Sequence, residues 1–243
     1  MIDTVINKFK DLRLKHCADN IAEITRQAES QNLSALQAVD RLLDLEMEGR
    51  ELNRIALRYK QSKLTEKPTI DQFDFNYHIS RQRQKSLILS LMDLEFIKQK
   101  KDIILIGNPG VGKSLIAKCL AYAATLAGIK TLHTSAMDML NHLIAAEADH
   151  SLLKKLQFYE SPDLLVCDEI GYLPLGRQGS NLFFQVISAR HEKKSTIITT
   201  NLTFSDWGNI FDGTTAATAI ADRLVYNSEI LILEGPSYRG KRK

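Results

Sequence analysis

The sequence predicts an α/β fold, a parallel sheet flanked by helices and preceded by a small all-helical N-terminal domain. Three observations carry that prediction. The stretch "DIILIGNPGVGKSLIAKCLA", residues 102–121, runs from an apolar segment into a glycine-rich turn and on into a helical apolar pattern. From about residue 80 onward, short apolar runs alternate with longer amphipathic stretches, which lays strands parallel and connects them by helices on both faces. The first 64 residues show helical spacing, with no glycine before Gly49.

In chain order, Leu36, Val39, Leu43 and Met47 keep a three-or-four spacing. "SALQ", Ser34 to Gln37, has the Ser-x-x-Gln form of a capping box that opens a helix. "TEKPTIDQFDF", residues 65–75, breaks the helical pattern at Pro68 and reads as a linker. The expected domains are therefore 1–67, helical, and 68–243, α/β. In the second, helices are expected at 80–94, 113–127, 136–148, 179–193 and 215–226, and strands at 102–106, 130–134, 163–168, 195–200 and 229–233.

Composition excludes several classes. The 243 residues are 44% apolar and 25% charged, which is ordinary for a globular protein. No apolar run approaches a membrane span, and "MIDTVINKFKDLRLKHC" has no apolar core segment of a secretory signal, so a cytoplasmic protein with no membrane partner is expected. Cys17, Cys119 and Cys167 are too few and too scattered for a disulfide framework or a thiolate zinc site, and the six histidines show no metal-binding spacing. Net charge is +3, but residues 50–63 carry five basic residues against one acidic, and the last ten residues four against one. Arg50, Arg54 and Arg58 share one helical face, which suits either a phosphate backbone or a solvated surface.

The glycine-rich turn carries the chemistry. Gly107, Gly112, Lys113 and Ser114 fit G-x-x-x-x-G-K-[ST] between a strand and a helix. Such a loop turns backbone N–H groups and a helix N-terminus toward phosphate, with Lys113 as a point charge and Ser114 as a hydroxyl for Mg²⁺. The strand "LLVC" ends in Asp168 and Glu169. There Asp168 can hold Mg²⁺ and Glu169 can orient and deprotonate an attacking water, which favours hydrolysis over phosphoryl transfer to a small acceptor. Asp168 to Gly171 also fits the D-x-x-G of GTP-binding proteins, but no guanine-reading Asn-Lys-x-Asp follows, so ATP is expected. "STIITTN" ends a neighbouring strand with Asn201, placed to hydrogen-bond the attacking water or the γ-phosphate. Arg190, Arg223 and Arg239 lie on late elements from which a guanidinium reaches phosphate in its own or a neighbouring copy.

The runs "GNPGVGKS", "DEIGYLPL", "TTNLTFSDWGNIF", "ADRL" and "SYR" together resemble the IstB family, ATPase helpers of insertion-sequence transposition. These are AAA+ P-loop proteins similar to the helicase loader DnaC. The resemblance covers about residues 40–240. It implies an ATPase that assembles as a homo-oligomer on double-stranded DNA, with ATP between protomers, and assists a transposase. Nucleotide-binding roles fall on Gly107, Asn108, Pro109, Gly110, Val111, Gly112, Lys113, Ser114 and Leu115, and Walker B roles on Asp168 and Glu169. The sensor role falls on Asn201, a trans-acting finger on Arg223 and a second sensor on Arg239. Only ten residues follow the last expected strand, so no helical lid domain is expected. A helicase loader is the alternative reading, and a small-molecule kinase a third.

Overall fold

The computed structural model describes residues 1–171 and 174–242, the last two by backbone alone. Tyr172 and Leu173 of the "DEIGYLPL" run, and the charged side chains at 241–243, lie outside the described residues. Contacts divide the chain into two compact units, Met1–Leu57 and Arg58–Lys243.

The first unit is helical: α1 (Ile2–Asp11), α2 (Lys15–Gln31) and the N-terminal part of α3 (Ala35–Ser62). Its small core is Cys17, Ile24 and Leu42, with Phe9, Leu14, Ile21, Ala38 and Leu45 packed against it. The capping box forms as the sequence predicts. Gln37 N–H donates to Ser34 Oγ at 3.3 Å, and Gln37 Oε1 accepts from Ser34 N–H at 2.8 Å. The stripe whose spacing announces α3, however, is not the buried one. Leu36, Val39, Leu43 and Met47 are exposed, while Leu42, Glu46 and Gly49 face the core. Spacing identifies a helix; a helix with two apolar faces does not announce which is inside.

The second unit is a five-stranded parallel sheet in the order β2-β3-β4-β1-β5. Its strands are β1 (Asp102–Gly107), β2 (Thr131–Ser135), β3 (Leu164–Ile170), β4 (Ser195–Thr200) and β5 (Ser228–Leu233). Its helices are α4 (Ile79–Leu91), α5 (Glu95–Lys98), α6 (Lys113–Leu126), α7 (Ala136–Ala148), α8 (Leu152–Glu160), α9 (Gly176–Arg190) and α10 (Gly213–Val225). The central strands β1, β3 and β4 are buried on both faces, which is why they read as continuous apolar runs, while the edge strand β5 leaves Ile230 and Ile232 exposed. In β1, Ile103 and Leu105 face one core with Ile116, Leu120 and Val166; Ile104 and Ile106 face the other with Leu165, Phe183 and Trp207.

The elements depart furthest from the sequence reading in three places. The expected helix 80–94 ends at Leu91, and after a left-handed Leu94 (φ 60°) the short α5 follows. The helix expected from 179 begins at Gly176. Helix α8 is absent from the sequence reading: its nine residues bury only Leu156 and Tyr159, too few turns for periodicity to register.

Candidate nucleotide site

The site forms where β1, β3 and β4 deliver their carboxyl ends side by side. Because β4 lies between β1 and β3, the P-loop and the acidic pair face each other across Thr199, Thr200 and Asn201. Two glycines of the loop are dictated by close approach. A Cβ on Gly107 (φ 154°) would stand 2.0 Å from the Leu233 carbonyl oxygen, and one on Gly112 (φ 104°) 2.5 Å from the Phe73 ring. Lys113, the first residue of α6, is buried, and its Nζ donates to the carbonyls of Gly107 (2.7 Å) and Asn108 (3.0 Å). Burial lowers its pKa; the carboxylate of Asp168 opposes that shift and the cationic Arg239 adds to it.

Asp168 is held from several sides. Ser114 Oγ donates to its Oδ1 at 2.9 Å, Thr199 Oγ1 donates to the same oxygen, and His133 Nε2 stands 3.9 Å from Oδ2. Thr199 Oγ1 in turn accepts the Glu169 N–H at 2.9 Å. The β3–β4 register shifts between Cys167 and Ile170, and Glu169 takes a left-handed φ of 64°. Strict alternation would point residue 169 into the core behind Cys167. Ile170 occupies that inward position instead, and Glu169 is extruded into the cleft.

A narrow cleft is lined by Pro109, Gly110, Lys113, Ser114, Glu169, Thr199, Thr200, Asn201 and Arg239. Among the described residues the Oδ1 of Asn201 is buried there without a hydrogen-bond partner, an arrangement that costs about 1–3 kcal/mol until a donor such as a water arrives. An adjoining cleft of about 390 Å³ is lined by Glu66, Gln72, Phe73, Arg81, Gly110, Gly112, Lys113, Ser114, Leu115, Lys118, Tyr238 and Arg239. The structure thus brings Gly110, Gly112, Lys113, Ser114, Leu115, Asp168, Glu169, Asn201 and Arg239 together. Gly107, Asn108 and Val111 shape the loop beneath them.

Two arginines are not brought there. Arg190 is a correction to its reading as a phosphate-reaching group: it is 1% exposed. It donates to the carbonyls of Tyr159, Glu160, Pro162 and Ser195 and to Thr196 Oγ1. Every face of its guanidinium is consumed by packing. Arg223 donates to the Ala219 carbonyl at 2.9 Å and stacks over Phe184 at 4.5 Å, outside the lining of either cleft. The basic face of α3 is partly engaged as well. Arg50 pairs with Glu46, Arg54 with Glu51, and Arg58 donates to the Gly128 carbonyl.

Sequence reasoning missed Arg81. This residue is 2% exposed and donates to the P-loop carbonyl of Val111 (2.8 Å) and to that of Asp74 (2.9 Å). Its guanidinium also lies over the rings of Phe73, Tyr77 and Tyr238, at 4.4, 4.9 and 5.0 Å from their centroids. Tyr238 N–H donates to the Gly110 carbonyl, so a turn after β5 is tied to the same loop. No spacing signal joins residues this far apart; the only local hint is an arginine among the aromatics of "FDFNYHISR".

Comparison with known proteins agrees with this geometry. A family described as IstB-like ATP binding protein matches residues 7–243. The chain belongs to that family. A protein named for ATP binding in insertion sequence IS232 of Bacillus thuringiensis subsp. berliner is 34% identical to this IstB-like chain, over 95% of it and 91% of the relative. Its counterpart in IS5376 of Geobacillus stearothermophilus is 36% identical, over 96% and 92%. Among solved structures, the DnaC helicase loader aligns with a TM-score of 0.55 at 24% identity, over 68% of this chain and 96% of that one. AMPPCP-bound DnaA from Aquifex aeolicus aligns at 0.59 and 17% identity, over 74% and 54%. The IstB-like chain therefore has the AAA+ fold. Among its described residues, no helix is long and apolar enough to cross a membrane.

Proposed function

We propose that this IstB-like protein is a Mg²⁺-dependent ATPase that assembles as a homo-oligomer on double-stranded DNA and assists a transposase in choosing its target. The observation that carries the hydrolytic part is the extrusion of Glu169 into the cleft opposite Lys113 and Ser114, beside the Oδ1 of Asn201, which has no partner among the described residues. Glu169 acts as general base on a water that Asn201 orients by accepting its other proton. Lys113 leaves the loop carbonyls for the phosphates, and Arg239 supplies a second cation from the cleft wall. Positioning and charge complementarity of this kind are what phosphoryl transfer chiefly needs.

The donor set fits Mg²⁺. Ser114 Oγ and Asp168 Oδ1 already lie together, and Mg²⁺ is ordinarily held by one or two protein ligands with phosphates and water completing its shell. Among the described residues there is no cluster of three metal-ligating side chains that would favour a different metal. When bound, the ion neutralises charge on the phosphates.

The transposition role is supported by the insertion-sequence names of the relatives. We assign partner or DNA interaction to residues 1–67 and ATP chemistry to 68–243. Because Arg223 lies outside its own cleft, it serves the site of a neighbouring copy, which makes nucleotide an element of the protomer interface. The test is steady-state ATP hydrolysis alone, with duplex and with single-stranded DNA, using Glu169→Gln as the blank. Stimulation by duplex over single strand is expected. Preference for single strand, or indifference to both, would transfer the protein to the helicase-loader role.

A further inference from the structure

Helix α3 presents a second apolar face that its own unit does not cover. Leu36, Val39, Leu43 and Met47 are 78, 50, 49 and 69% exposed. At 3.6 residues per turn they form one stripe, rotated by roughly 100° from the Leu42–Glu46–Gly49 side that meets the core. Along one edge of the stripe run Asp40, Asp44 and Glu48, all exposed and spaced four residues apart. Among the described residues none of these three carboxylates has an ion pair, although arginines at 41, 50 and 54 share the helix; those arginines engage Gln31, Glu46 and Glu51. Like charges four apart oppose helix formation, and among the described residues no ion pair relieves them.

We propose that this face of α3 docks a basic amphipathic helix of a partner protein. The partner's apolar residues seat on Leu36, Val39, Leu43 and Met47, and lysines or arginines along its flank pair with Asp40, Asp44 and Glu48. Helix-in-face recognition reads this combination of spaced apolar anchors and flanking charge. Charge excludes the other occupants. Three free carboxylates repel a nucleic-acid backbone, and an antiparallel second copy would set them against their own images. The surface lies wholly within residues 36–48 and does not depend on the ATPase reading.

The test titrates full-length protein against two fluorescein-labelled amphipathic peptides of about 18 residues, one of leucine and lysine, the other with every lysine changed to glutamate, followed by anisotropy. Saturable binding at least tenfold tighter for the lysine peptide is expected. Leu43→Ser with Met47→Ser should weaken it about tenfold, and Asp40→Lys with Asp44→Lys should invert the preference toward the glutamate peptide. Circular dichroism and thermal unfolding verify that both variants fold. Absence of saturable binding, or binding of the lysine peptide that neither variant changes, overturns the proposal. So does concentration-dependent self-association that Leu43→Ser with Met47→Ser abolishes, since that result gives the face to a second copy.

Discussion

Glu169 concentrates the conflict between stability and chemistry at a single residue. Its φ of 64° puts a side chain with a Cβ in the left-handed region, at a cost of about 1–2 kcal/mol. The conformation persists because Thr199 takes up its N–H and Ile170 fills the core position behind it. Glu169→Gly is therefore expected to stabilise the fold by about 1 kcal/mol, raising Tm by roughly 2–4 °C, while abolishing hydrolysis. Glu169→Gln should lose hydrolysis with no such gain. Comparing the two melting curves decides the matter: if the glycine variant melts with or below the glutamine variant, no strain is stored there. The sequence makes Asp168 and Glu169 legible as a pair, because two carboxylates ending an apolar strand are unusual. It hides the bulge, since the extra residue appears only when β3 is paired against β4. Thr199 is likewise visible as a polar strand end, but its bonds to both members of the pair need the neighbouring strand.

At the scale of elements, Arg190 joins the end of α8 and the start of β4 to the last turn of α9. Arg190→Met would leave four carbonyls, three of them buried, and a hydroxyl without their donor, and a loss of about 3–5 kcal/mol is expected. The measurement is a fall in urea midpoint at constant slope. A role in phosphate chemistry would instead leave the midpoint untouched and remove turnover. Burial depresses the guanidinium to about 10, and at the start of the neighbouring strand β1 stands Asp102, which burial pushes up to about 7 against the Thr196 N–H and the charge of Arg190. A carboxyl whose folded pKa exceeds its unfolded value of about 3.9 binds more protons when folded. Stability is therefore expected to fall as pH rises from about 4 to 7, by on the order of a few kcal/mol. Asp102→Asn keeps an acceptor for Thr196 and should flatten that slope, which thermal melts across the window would show. Most elements were legible because strands buried on both faces and helices of three turns or more leave strong patterns. Helix α8 and the true inner face of α3 were not: the first is too short, and the second competes with an outer stripe of equal periodicity.

For the whole molecule, the clefts combine residues that only the completed topology can gather. Phe73 and Arg81 arrive from before β1, and Tyr238 and Arg239 from after β5; both pairs close on a loop that the sequence identifies by itself. Arg223 is the exception, since it lines neither cleft of its own chain. If it serves a neighbouring site, each complete site needs Glu169 from one copy and Arg223 from the next. Arg223→Ala and Glu169→Gln should then each be inactive alone and active when mixed. In the mixture, a junction where the Arg223→Ala copy supplies the cleft and the Glu169→Gln copy supplies the arginine contains every group. In a heterologous, head-to-tail assembly with random incorporation at equal amounts, about a quarter of the junctions meet that condition. Turnover should recover toward a corresponding fraction of wild type, and dilution below the assembly threshold should remove it again. An arginine that acted only within its own chain would leave the mixture as dead as its parts, because every Arg223→Ala cleft would still lack its cation and every Glu169→Gln cleft its base.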